Sequence, residues 1–269
     1  MAVVTRFAPS PTGPLHLGHA YSAMLARERG DRFLLRIEDI DTARCRPEWE
    51  AAIFDDLQWL GLQWEKPVLR QSDRLPLYRA AVGRLMAMGM AYACTCSRAD
   101  IRDALTAPQE GPDGPVYPGT CRGKGHAAQG ASVRLDMGRA MARLGTVAFD
   151  ETGPAHAGRH RFGADLAGTI GDVVLARKDI GTSYHVAVVV DDAAQGVTEV
   201  TRGEDLFGAT PIHVVLQRLL ELPTPTYNHH ALIRDQAGRR LAKRDDARAL
   251  STYRAEGATP EDIRQMVGL

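Results

Sequence analysis

Short apolar runs alternate along the chain with longer stretches in which apolar residues recur at helical spacing. The run from Ala2 to Val4 predicts a strand, and a proline-rich loop joins it to a predicted helix from Ala20 to Arg29 that ends before Gly30. A second apolar run from Phe33 to Ile37 predicts another strand. Strands and helices that alternate in this way predict an α/β fold.

The same rhythm continues on both sides of a central interruption. Before it, the pattern predicts a helix, a strand and a helix at Pro47 to Leu60, around Val68 and Leu69, and at Arg74 to Met88. After it, the predicted strands and helices are, in chain order, the strands Asp172 to Leu175 and His185 to Val190, the helix Thr210 to Leu220, the strand Tyr227 to Ile233, and two short helices near Ala247 and after the cap Thr259. The nearly continuous β-branched run from His185 to Val190 is typical of a strand buried on both faces.

The interruption, from Tyr92 to about Phe162, contains three of the four cysteines of the chain. Cys94 and Cys96 are two residues apart, so their thiols point to the same side of an extended backbone, and Cys121 could add a third thiolate around one soft ion. General ligand chemistry favours His126 as a fourth ligand. We therefore predict one structural zinc ion per chain, with small buried apolar side chains as the alternative interpretation of the cysteines.

The interruption also divides the chain into three parts. We expect residues 1–91 and 166–269 to form the two halves of one domain, with residues 92–165 inserted between them.

The overall charge is balanced, with 33 lysines and arginines against 33 aspartates and glutamates. A nucleic acid would therefore have to bind at a local positive patch. No apolar run approaches the length of a membrane span, and no charged leader precedes a long apolar stretch, so we expect a cytoplasmic protein with no membrane partner. The isolated Cys45 argues against a disulfide framework and for reduced thiols.

The loop before the first helix has the character of a nucleotide-binding site. It carries three prolines, Gly18 leaves room for a flat ring on the backbone, and His16 and His19 share one face of the first helical turn. Phosphates bind at helix N-termini because free N–H groups and the helix dipole point at them. Glu38 follows the second strand at the carboxyl edge of the sheet and could bind an ammonium group.

Five stretches resemble the signatures of class I aminoacyl-tRNA synthetases, in particular of their glutamyl branch, and together they span nearly the whole chain. They are Arg6 to Gly13 with His16 to His19, Leu35 to Asp41, Tyr184 to Asp192, Val200 to Leu206, and the lysine loop Arg240 to Arg244. The lysine loop departs from the K-M-S-K-S pattern of that family. Arg240 replaces the first lysine and Ala242 the serine, while Lys243 supplies the second lysine.

The resemblance implies a Rossmann-like doubly wound parallel sheet with an inserted zinc-containing subdomain of the acceptor type. It also implies that ATP binds with magnesium and that glutamate attacks the α-phosphate, while the protein stabilises charge on the leaving pyrophosphate. In this interpretation His16, His19 and Lys243 are the catalytic residues, and Pro9 and Gly18 complete the ATP site.

Glutamate presents two carboxylates and one ammonium group, and the resemblance implies a matching set of residues. Arginine suits a carboxylate because its fork can donate two parallel hydrogen bonds. In this set Arg6 and Arg202 bind carboxylate charge, Tyr184 and Ser10 add hydroxyls, Glu38 binds the amino group, and Ala8 lies beside them. For zinc, the resemblance implies Tyr117 as the fourth ligand, so Tyr117 and His126 stand as alternatives.

Fewer than thirty residues follow Lys243, whereas full glutamyl-tRNA synthetases continue into a helical anticodon-binding domain, so we expect no such domain. In this respect the chain is similar to the glutamyl-Q tRNA(Asp) synthetases. Those enzymes activate glutamate without tRNA and attach it to queuosine in the anticodon loop of tRNA(Asp). We also expect this protein to be a monomer. The alternatives are a truncated conventional glutamyl-tRNA synthetase, a class I ligase that joins glutamate to a small amine, and a non-enzymatic RNA-binding paralogue.

Overall fold

The computed structural model of the protein describes residues 2–104, 110–112, 114–233 and 248–269, so the predicted lysine loop with Lys243 lies outside the described residues. The strands in these ranges are β1 (Val4–Phe7), β2 (Arg32–Ile37), β3 (Glu65–Arg70), β4 (Ala91–Cys94), β5 (Glu110–Gly111), β6 (Gly114–Pro115), β7 (Ser132–Leu135), β8 (Val147–Glu151), β9 (Gly158–Phe162), β10 (Val174–Ala176), β11 (Glu199–Gly203) and β12 (Thr226–His230). The α-helices are α1 (Leu17–Arg29), α2 (Pro47–Trp59), α3 (Leu75–Ala87), α4 (Arg98–Ala104), α5 (Met137–Leu144), α6 (Leu166–Thr169), α7 (Tyr184–Ala194), α8 (Thr210–Leu220), α9 (Leu250–Ala255) and α10 (Pro260–Val267).

Parallel strands form the centre of the fold. β1, β2 and β3 pair in parallel in that order, and β11, β12 and β8 form a second parallel group. The two groups lie side by side, because Thr198, next to β11, donates its backbone N–H to the carbonyl oxygen of Val4 in β1 at 3.0 Å. β9 pairs antiparallel with β8 at the outer edge. These strands confirm the predicted α/β fold with a parallel sheet.

A smaller antiparallel sheet consists of β4, β7 and β10. β4 ends at Cys94, so this sheet carries the start of the cysteine-containing segment. The division of the chain at residues 92 and 165 stays a prediction. The structure places β8, which belongs to the middle part of that division, beside β12 in the parallel group, where Tyr227 pairs with Glu151.

Most predicted elements agree with the structure to within a few residues, but the strand predicted at His185 to Val190 is wrong. These residues lie in helix α7, and Val186 to Val189 are fully buried in the larger hydrophobic core. A buried strand and a buried helix give the same unbroken apolar pattern. Packing on most sides stabilises the helix enough to override the weak helix propensity of valine.

The start of α1 also differs from the prediction by a short distance. α1 begins at Leu17, with His16 as its N-cap residue, so the helix includes residues that we assign to the loop from the sequence. α8 has the predicted bounds, Thr210 to Leu220, with Ala209 at the N-cap position. Within the described ranges, no helix is long and apolar enough to cross a membrane.

Candidate active site

A cavity of about 540 Å³ opens where β1, β2 and β11 end and where α1 begins. Its lining includes nine of the residues predicted from the sequence, namely Arg6, Ala8, Ser10, His16, Gly18, His19, Glu38, Tyr184 and Arg202. Pro9 is buried in the adjacent loop, where its carbonyl oxygen accepts a hydrogen bond from the Glu38 backbone N–H at 3.0 Å. The structure therefore brings together residues from distant parts of the chain in one cavity.

Two histidines form the start of α1. The Nδ1 atom of His16 accepts a hydrogen bond from the Gly18 N–H, and the Nδ1 atom of His19 accepts one from the His16 N–H, both at 3.1 Å. Since each Nδ1 accepts a backbone proton, each neutral ring carries its own proton on Nε2, as assigned from these hydrogen bonds. The two ring centroids are 3.8 Å apart. This helix end therefore combines backbone N–H groups with two imidazole donors, which suits an anion such as a phosphate.

Gly18 allows this arrangement because it has no side chain. A Cβ atom at this position would lie 3.1 Å from Cε1 and 3.2 Å from Nδ1 of His16, and it would press on the ring that caps the helix.

At the opposite side of the cavity, buried charges form a compact cluster. Nε of Arg6 and NH1 of Arg36 donate to the same oxygen of Asp192, at 3.1 and 2.6 Å, and NH2 of Arg36 donates to Glu38 at 3.0 Å. Burial disfavours the ionised form of Asp192, but Arg6 and Arg36 outweigh this effect and lower its pKa. Asp192 and Arg36 thus fix Arg6 and Glu38 in the wall of the cavity.

Neighbouring arginines compensate the negative charge of Glu38 less well than that of Asp192. Burial raises the pKa of Glu38, and Arg36 offsets this only in part. A positive ligand group beside Glu38 would favour its ionised form, so the surroundings of Glu38 suit an ammonium group.

The two arginines of the cavity differ in their surroundings. Arg6 contacts Asp192 directly and donates from NH1 to the Thr201 carbonyl oxygen at 3.2 Å. Arg202 is equally buried, but its partners among the described residues are the uncharged groups of His229, His213, Thr210 and Leu206. No carboxylate in the described ranges lies within 4 Å of the Arg202 guanidinium. Among the described residues, Arg202 therefore has no carboxylate as a direct partner and can offer its positive charge to the cavity.

Sequence reasoning missed several residues that support this site, above all Asp192, Arg36, His213 and His229. Asp192 lies inside the stretch Tyr184 to Asp192, which resembles a family signature, so its position in the sequence was a usable signal. The two histidines give no such signal, since they contact Arg202 from separate elements, α8 and β12, and their spacing along the chain follows no pattern.

The three predicted cysteine ligands lie together, with the sulfur atoms of Cys94, Cys96 and Cys121 all within 4.8 Å of one another. The Tyr117 hydroxyl lies 3.3 Å from the Cys94 sulfur and 3.4 Å from the Cys96 sulfur. Tetrahedral zinc with bonds of about 2.3 Å to sulfur separates its sulfur ligands by about 3.7 Å, so these four groups have suitable spacing for one ion. Among the described residues, the group of metal-binding side chains here includes no histidine, and His126 is not part of it.

The surroundings of Cys121 favour ionisation of its thiol. Burial opposes the thiolate, but hydrogen bonds from the Tyr117 hydroxyl and the Thr95 backbone outweigh it and lower the pKa of Cys121 to about 5. A thiolate is the form of cysteine that binds metals.

A second, larger cavity of about 940 Å³ lies between the cysteine group and the first cavity. It shares Ser10, Glu38 and Tyr184 with the first cavity, and Cys94 to Ser97 form part of its wall. Its remaining lining includes the basic side chains of Arg44, Arg98, Arg134, Arg177 and Lys178. Arg44 and Arg177 form ion pairs with Asp41 and Asp179, so the other three contribute most of the local positive charge.

Comparison with known proteins gives consistent matches. Residues 2–269 match the protein family described as class I tRNA synthetases (E and Q), catalytic domain. The chain is 63% identical to a glutamyl-Q tRNA(Asp) synthetase of Rhodobacter capsulatus, over 99% of this chain and 100% of that protein. It is 44% identical to a glutamyl-Q tRNA(Asp) synthetase of Nocardia farcinica, over 96% of this chain and 81% of that protein.

Solved structures show the same relationship at a greater distance. The chain is similar, with a TM-score of 0.77 and 25% identity, to a glutamate tRNA ligase of Elizabethkingia meningosepticum that was crystallised in complex with its amino acid. The similarity covers 100% of this chain, which spans 61% of the length of that ligase. A methionyl-tRNA synthetase of Mycobacterium tuberculosis shares the fold, with a TM-score of 0.61 and 10% identity, over 99% of this chain and 64% of that one.

Proposed function

Since the chain belongs to the class I tRNA synthetases (E and Q), and within them to the glutamyl-Q tRNA(Asp) synthetases, we propose that it activates L-glutamate with ATP and transfers it to queuosine of tRNA(Asp). One structural observation supports this proposal most directly. A single cavity joins the anion-binding end of α1 to two buried arginines and the carboxylate of Glu38. These groups match a nucleotide triphosphate on one side and an acidic amino acid on the other.

In the activation step, a carboxylate oxygen of glutamate attacks the α-phosphorus of ATP, the bond to the β-phosphate oxygen breaks, and pyrophosphate leaves. His16 and His19 donate hydrogen bonds to the phosphates from Nε2, and the backbone N–H groups of α1 add to this field. Lys243, from the lysine loop, meets the leaving phosphates, and Pro9 and Gly18 shape the nucleotide site. ATP enters the reaction as its magnesium complex.

Glutamate lies at the other side of the cavity in this proposal. Arg6 and Arg202 bind its carboxylates, and Glu38 binds its ammonium group. The contacts of Arg6 to described residues use Nε and one N–H of NH1, so its NH2 group is left to donate to a carboxylate. Tyr184 and Ser10 add hydroxyls, and Ala8 completes the wall.

In the transfer step, a hydroxyl of the queuosine cyclopentenediol attacks the carbonyl carbon of the glutamyl adenylate, and AMP leaves. The RNA reaches this carbonyl through the larger cavity, which opens directly onto Glu38 and Tyr184. Arg98, Arg134 and Lys178 line that approach and bind RNA phosphates.

We also propose that Cys94, Cys96, Cys121 and Tyr117 hold one zinc ion. The fit rests on the spacing of the four donor atoms and on the acidic thiol of Cys121. All four positions of a tetrahedral ion are then occupied by protein groups, which is typical of a structural site. A zinc ion held by these residues would anchor the loop that carries Cys121 to the end of β4.

The first test is glutamate-dependent exchange of labelled pyrophosphate into ATP, with no RNA present. We expect exchange with glutamate and none with glutamine. Exchange that requires tRNA would favour a conventional glutamyl-tRNA synthetase, and no exchange under either condition would contradict the proposed activation step.

The second test identifies the acceptor. Radiolabelled glutamate is offered to tRNA(Asp) from normal cells and from cells deprived of queuine, and the 3′ end of the product is then trimmed enzymatically. We expect label only on the queuosine-containing tRNA, and we expect the label to survive trimming. Equal labelling of both tRNAs, or loss of the label with the 3′ nucleotides, would assign the chain to 3′-end aminoacylation.

A further inference from the structure

Two histidines hold Arg202 in place by accepting hydrogen bonds from its N–H groups. Its Nε donates to Nε2 of His229 at 3.0 Å, and its NH1 donates to Nδ1 of His213 at 3.1 Å. Arginine has no acceptor atom, so neither of these imidazole nitrogens can carry a proton. The hydrogen bonds of Arg202 therefore define the tautomer of both rings.

Groups on the far side of each ring complete the same assignment. Nδ1 of His229 lies 2.5 Å from a carboxylate oxygen of Glu151, which accepts its proton, while the other Glu151 oxygen accepts the backbone N–H groups of Gly153 and His229. Nε2 of His213 lies 3.0 Å from Nδ1 of His185 and donates to it. Glu151 is itself buried, with 3% exposure. Each histidine thus contacts Arg202 on one side and a fixed partner on the other, and the Thr210 hydroxyl also lies 3.2 Å from Nε2 of His229.

Both rings are uncharged at neutral pH. Burial lowers the pKa of His213 well below its usual value, and the charge of Arg202 lowers it further. Burial and Arg202 also lower the pKa of His229 to about 4, although Glu151 opposes this effect. A proton added to either ring would meet an N–H group of Arg202.

We propose that His229 and His213, oriented by Glu151 and His185, are positioning residues that aim Arg202 at a carboxylate of bound glutamate without neutralising its charge. This inference rests on the proposed function, since it assumes that Arg202 binds glutamate. With NH2 donating to Thr210 and Leu206, the contacts to described residues occupy four of the five Arg202 N–H groups. One N–H of NH1 and the full positive charge are left for the ligand.

The imidazole ring of His229 lies between Arg202 and Glu151, and it explains why the charge of Arg202 is less neutralised than that of Arg6. A carboxylate placed directly against Arg202 would compete with the carboxylate of the substrate, as Asp192 does in part at Arg6. A neutral imidazole fixes the direction of the guanidinium, while the charge of Glu151 stays one ring further away. Arg202 therefore provides the stronger attraction for a charged ligand, and it should contribute most to the discrimination against glutamine.

Glu151→Gln tests the proton arrangement with little change of shape. The amide keeps one acceptor oxygen for the backbone N–H groups, but its NH2 group faces Nδ1 of His229 and forces the proton of that ring onto Nε2, against Arg202. We expect the KM for glutamate in pyrophosphate exchange to rise by 10- to 100-fold, with the KM for ATP changed by less than threefold.

A pair of substitutions at His213 separates positioning from packing. The Oδ1 atom of His213→Asn can replace Nδ1 as the acceptor for Arg202, whereas His213→Leu fills similar space without an acceptor. We expect His213→Leu to raise the KM for glutamate by 10- to 100-fold and His213→Asn to recover most of this loss. His160→Asn, a partly buried histidine that does not contact Arg202, is the matched control and should behave like the wild type.

Glutamate binding measured by titration calorimetry keeps this inference separate from the proposed function. If the wild type binds glutamate but catalyses no exchange, the proposed function fails while the affinities of the variants still test the role of His229 and His213. Thermal melting identifies any variant that does not fold. If Glu151→Gln does not fold, His213→Leu decides the test, and if His213→Leu does not fold, Glu151→Gln decides it. Unchanged glutamate affinity in the folded variants, or an equal rise of KM for glutamate and ATP, would overturn the proposal.

Discussion

His16 combines two tasks at the residue scale, and substitution can separate them. Its Nδ1 caps α1 by accepting the Gly18 N–H, while its Nε2 is the donor that we assign to phosphate. Asparagine is a favourable N-cap residue but offers no group at the position of Nε2. We therefore expect His16→Asn to keep the stability of the protein and to lower the rate of pyrophosphate exchange by about 10²- to 10³-fold, the usual effect of losing one transition-state donor.

His16→Ala is the comparison for this prediction, because it removes the cap as well as the donor. It should lose the same activity and in addition about 1 kcal/mol of stability, measured by urea unfolding. An active His16→Asn enzyme would show that His16 is only a capping residue.

Lys243 carries a prediction that comes from the sequence alone. As the second lysine of the predicted lysine loop, it should stabilise the leaving pyrophosphate, so Lys243→Ala should lower the exchange rate by about 10²- to 10³-fold. The neighbouring Arg244→Ala is the control for a general loss of positive charge. Equal effects of the two substitutions would argue against a specific role for Lys243.

The raised pKa of Asp56 predicts that the stability of the protein depends on pH. It is buried in α2, it forms no ion pair with a described residue, and burial raises its pKa to about 6. The unfolded carboxyl has a pKa of about 3.9, so between about pH 4 and 6 the native state binds more protons than the unfolded state. Stability contributed by the neutral acid is therefore complete below pH 4 and is lost as the pH rises to 6.

Asp56→Asn should remove this loss. We expect the variant to equal the wild type near pH 4 and to exceed its free energy of unfolding by about 1 to 2 kcal/mol at pH 7, after allowance for solvent screening. Urea unfolding at both pH values measures the difference. Asp55→Asn, at an exposed neighbouring position, should change little, and a pH-independent effect of Asp56→Asn would contradict this account.

The site was only partly predictable from residues in the sequence. Arg6, Glu38 and His16 lie in local motifs at the ends of strands or at the start of a helix, where the chain itself shows their neighbours. His213 and His229 become recognisable only when α8 and β12 bring them to the same guanidinium. A residue whose role depends on a partner in another element gives no periodic signal.

At the scale of single elements, helix α7 shows where pattern reasoning fails. The predictions for α2 and α3 succeed because each helix has a polar face, and the alternation of apolar and polar residues identifies the helical period. α7 is buried on most sides, and its valines remove this alternation. Asp191 and Asp192, near its end, form ion pairs with the half-buried Arg74 and the buried Arg6, and such long-range contacts are not visible in the apolar pattern.

The zinc proposal belongs to the same scale, because the proposed ion would join β4 to a loop that has little apolar core of its own. Elemental analysis after dialysis against a mild chelator should find one zinc per chain in the wild type and in Cys45→Ser. Cys121→Ser should lose the metal and melt at a lower temperature. Metal-free wild-type protein, or unchanged melting of Cys121→Ser, would contradict the zinc site.

His126 and Tyr117 can be distinguished in the same assay. Tyr117 lies against the cysteines while His126 is outside the group, so we expect Tyr117→Phe to weaken zinc binding and His126→Ala to leave it unchanged. The opposite result would identify His126 as the fourth ligand.

At the scale of the whole molecule, parallel pairing explains why the site forms. The carboxyl ends of β1, β2 and β11 meet at one edge, so Arg6, Glu38 and Arg202 converge although they are far apart in the sequence. The order of strands and helices made this convergence predictable. The pairing of β8 with β12 was not predictable, because it depends on long-range contacts that hydrophobic periodicity does not contain.

The balanced charge of the whole chain leads to a last prediction about RNA. With 33 basic and 33 acidic residues, the protein has no general attraction for nucleic acid, so we expect binding to depend on the few cations that line the larger cavity. We expect the affinity for queuosine-containing tRNA(Asp) to fall steeply with salt. Arg98→Ala and Lys178→Ala should each weaken binding and reduce the slope of log K against log salt by about 1.

Pyrophosphate exchange without RNA separates this patch from the active site. Neither substitution should alter the exchange rate, because Arg98 and Lys178 line the larger cavity and do not line the first cavity. Arg143→Ala, at an exposed position of α5 that lines neither cavity, is the control for general charge and should leave both RNA affinity and salt slope unchanged. If Arg143→Ala weakens RNA binding as much as Arg98→Ala does, the RNA does not enter through this cavity, and its path to the glutamyl group must cross another face of the protein.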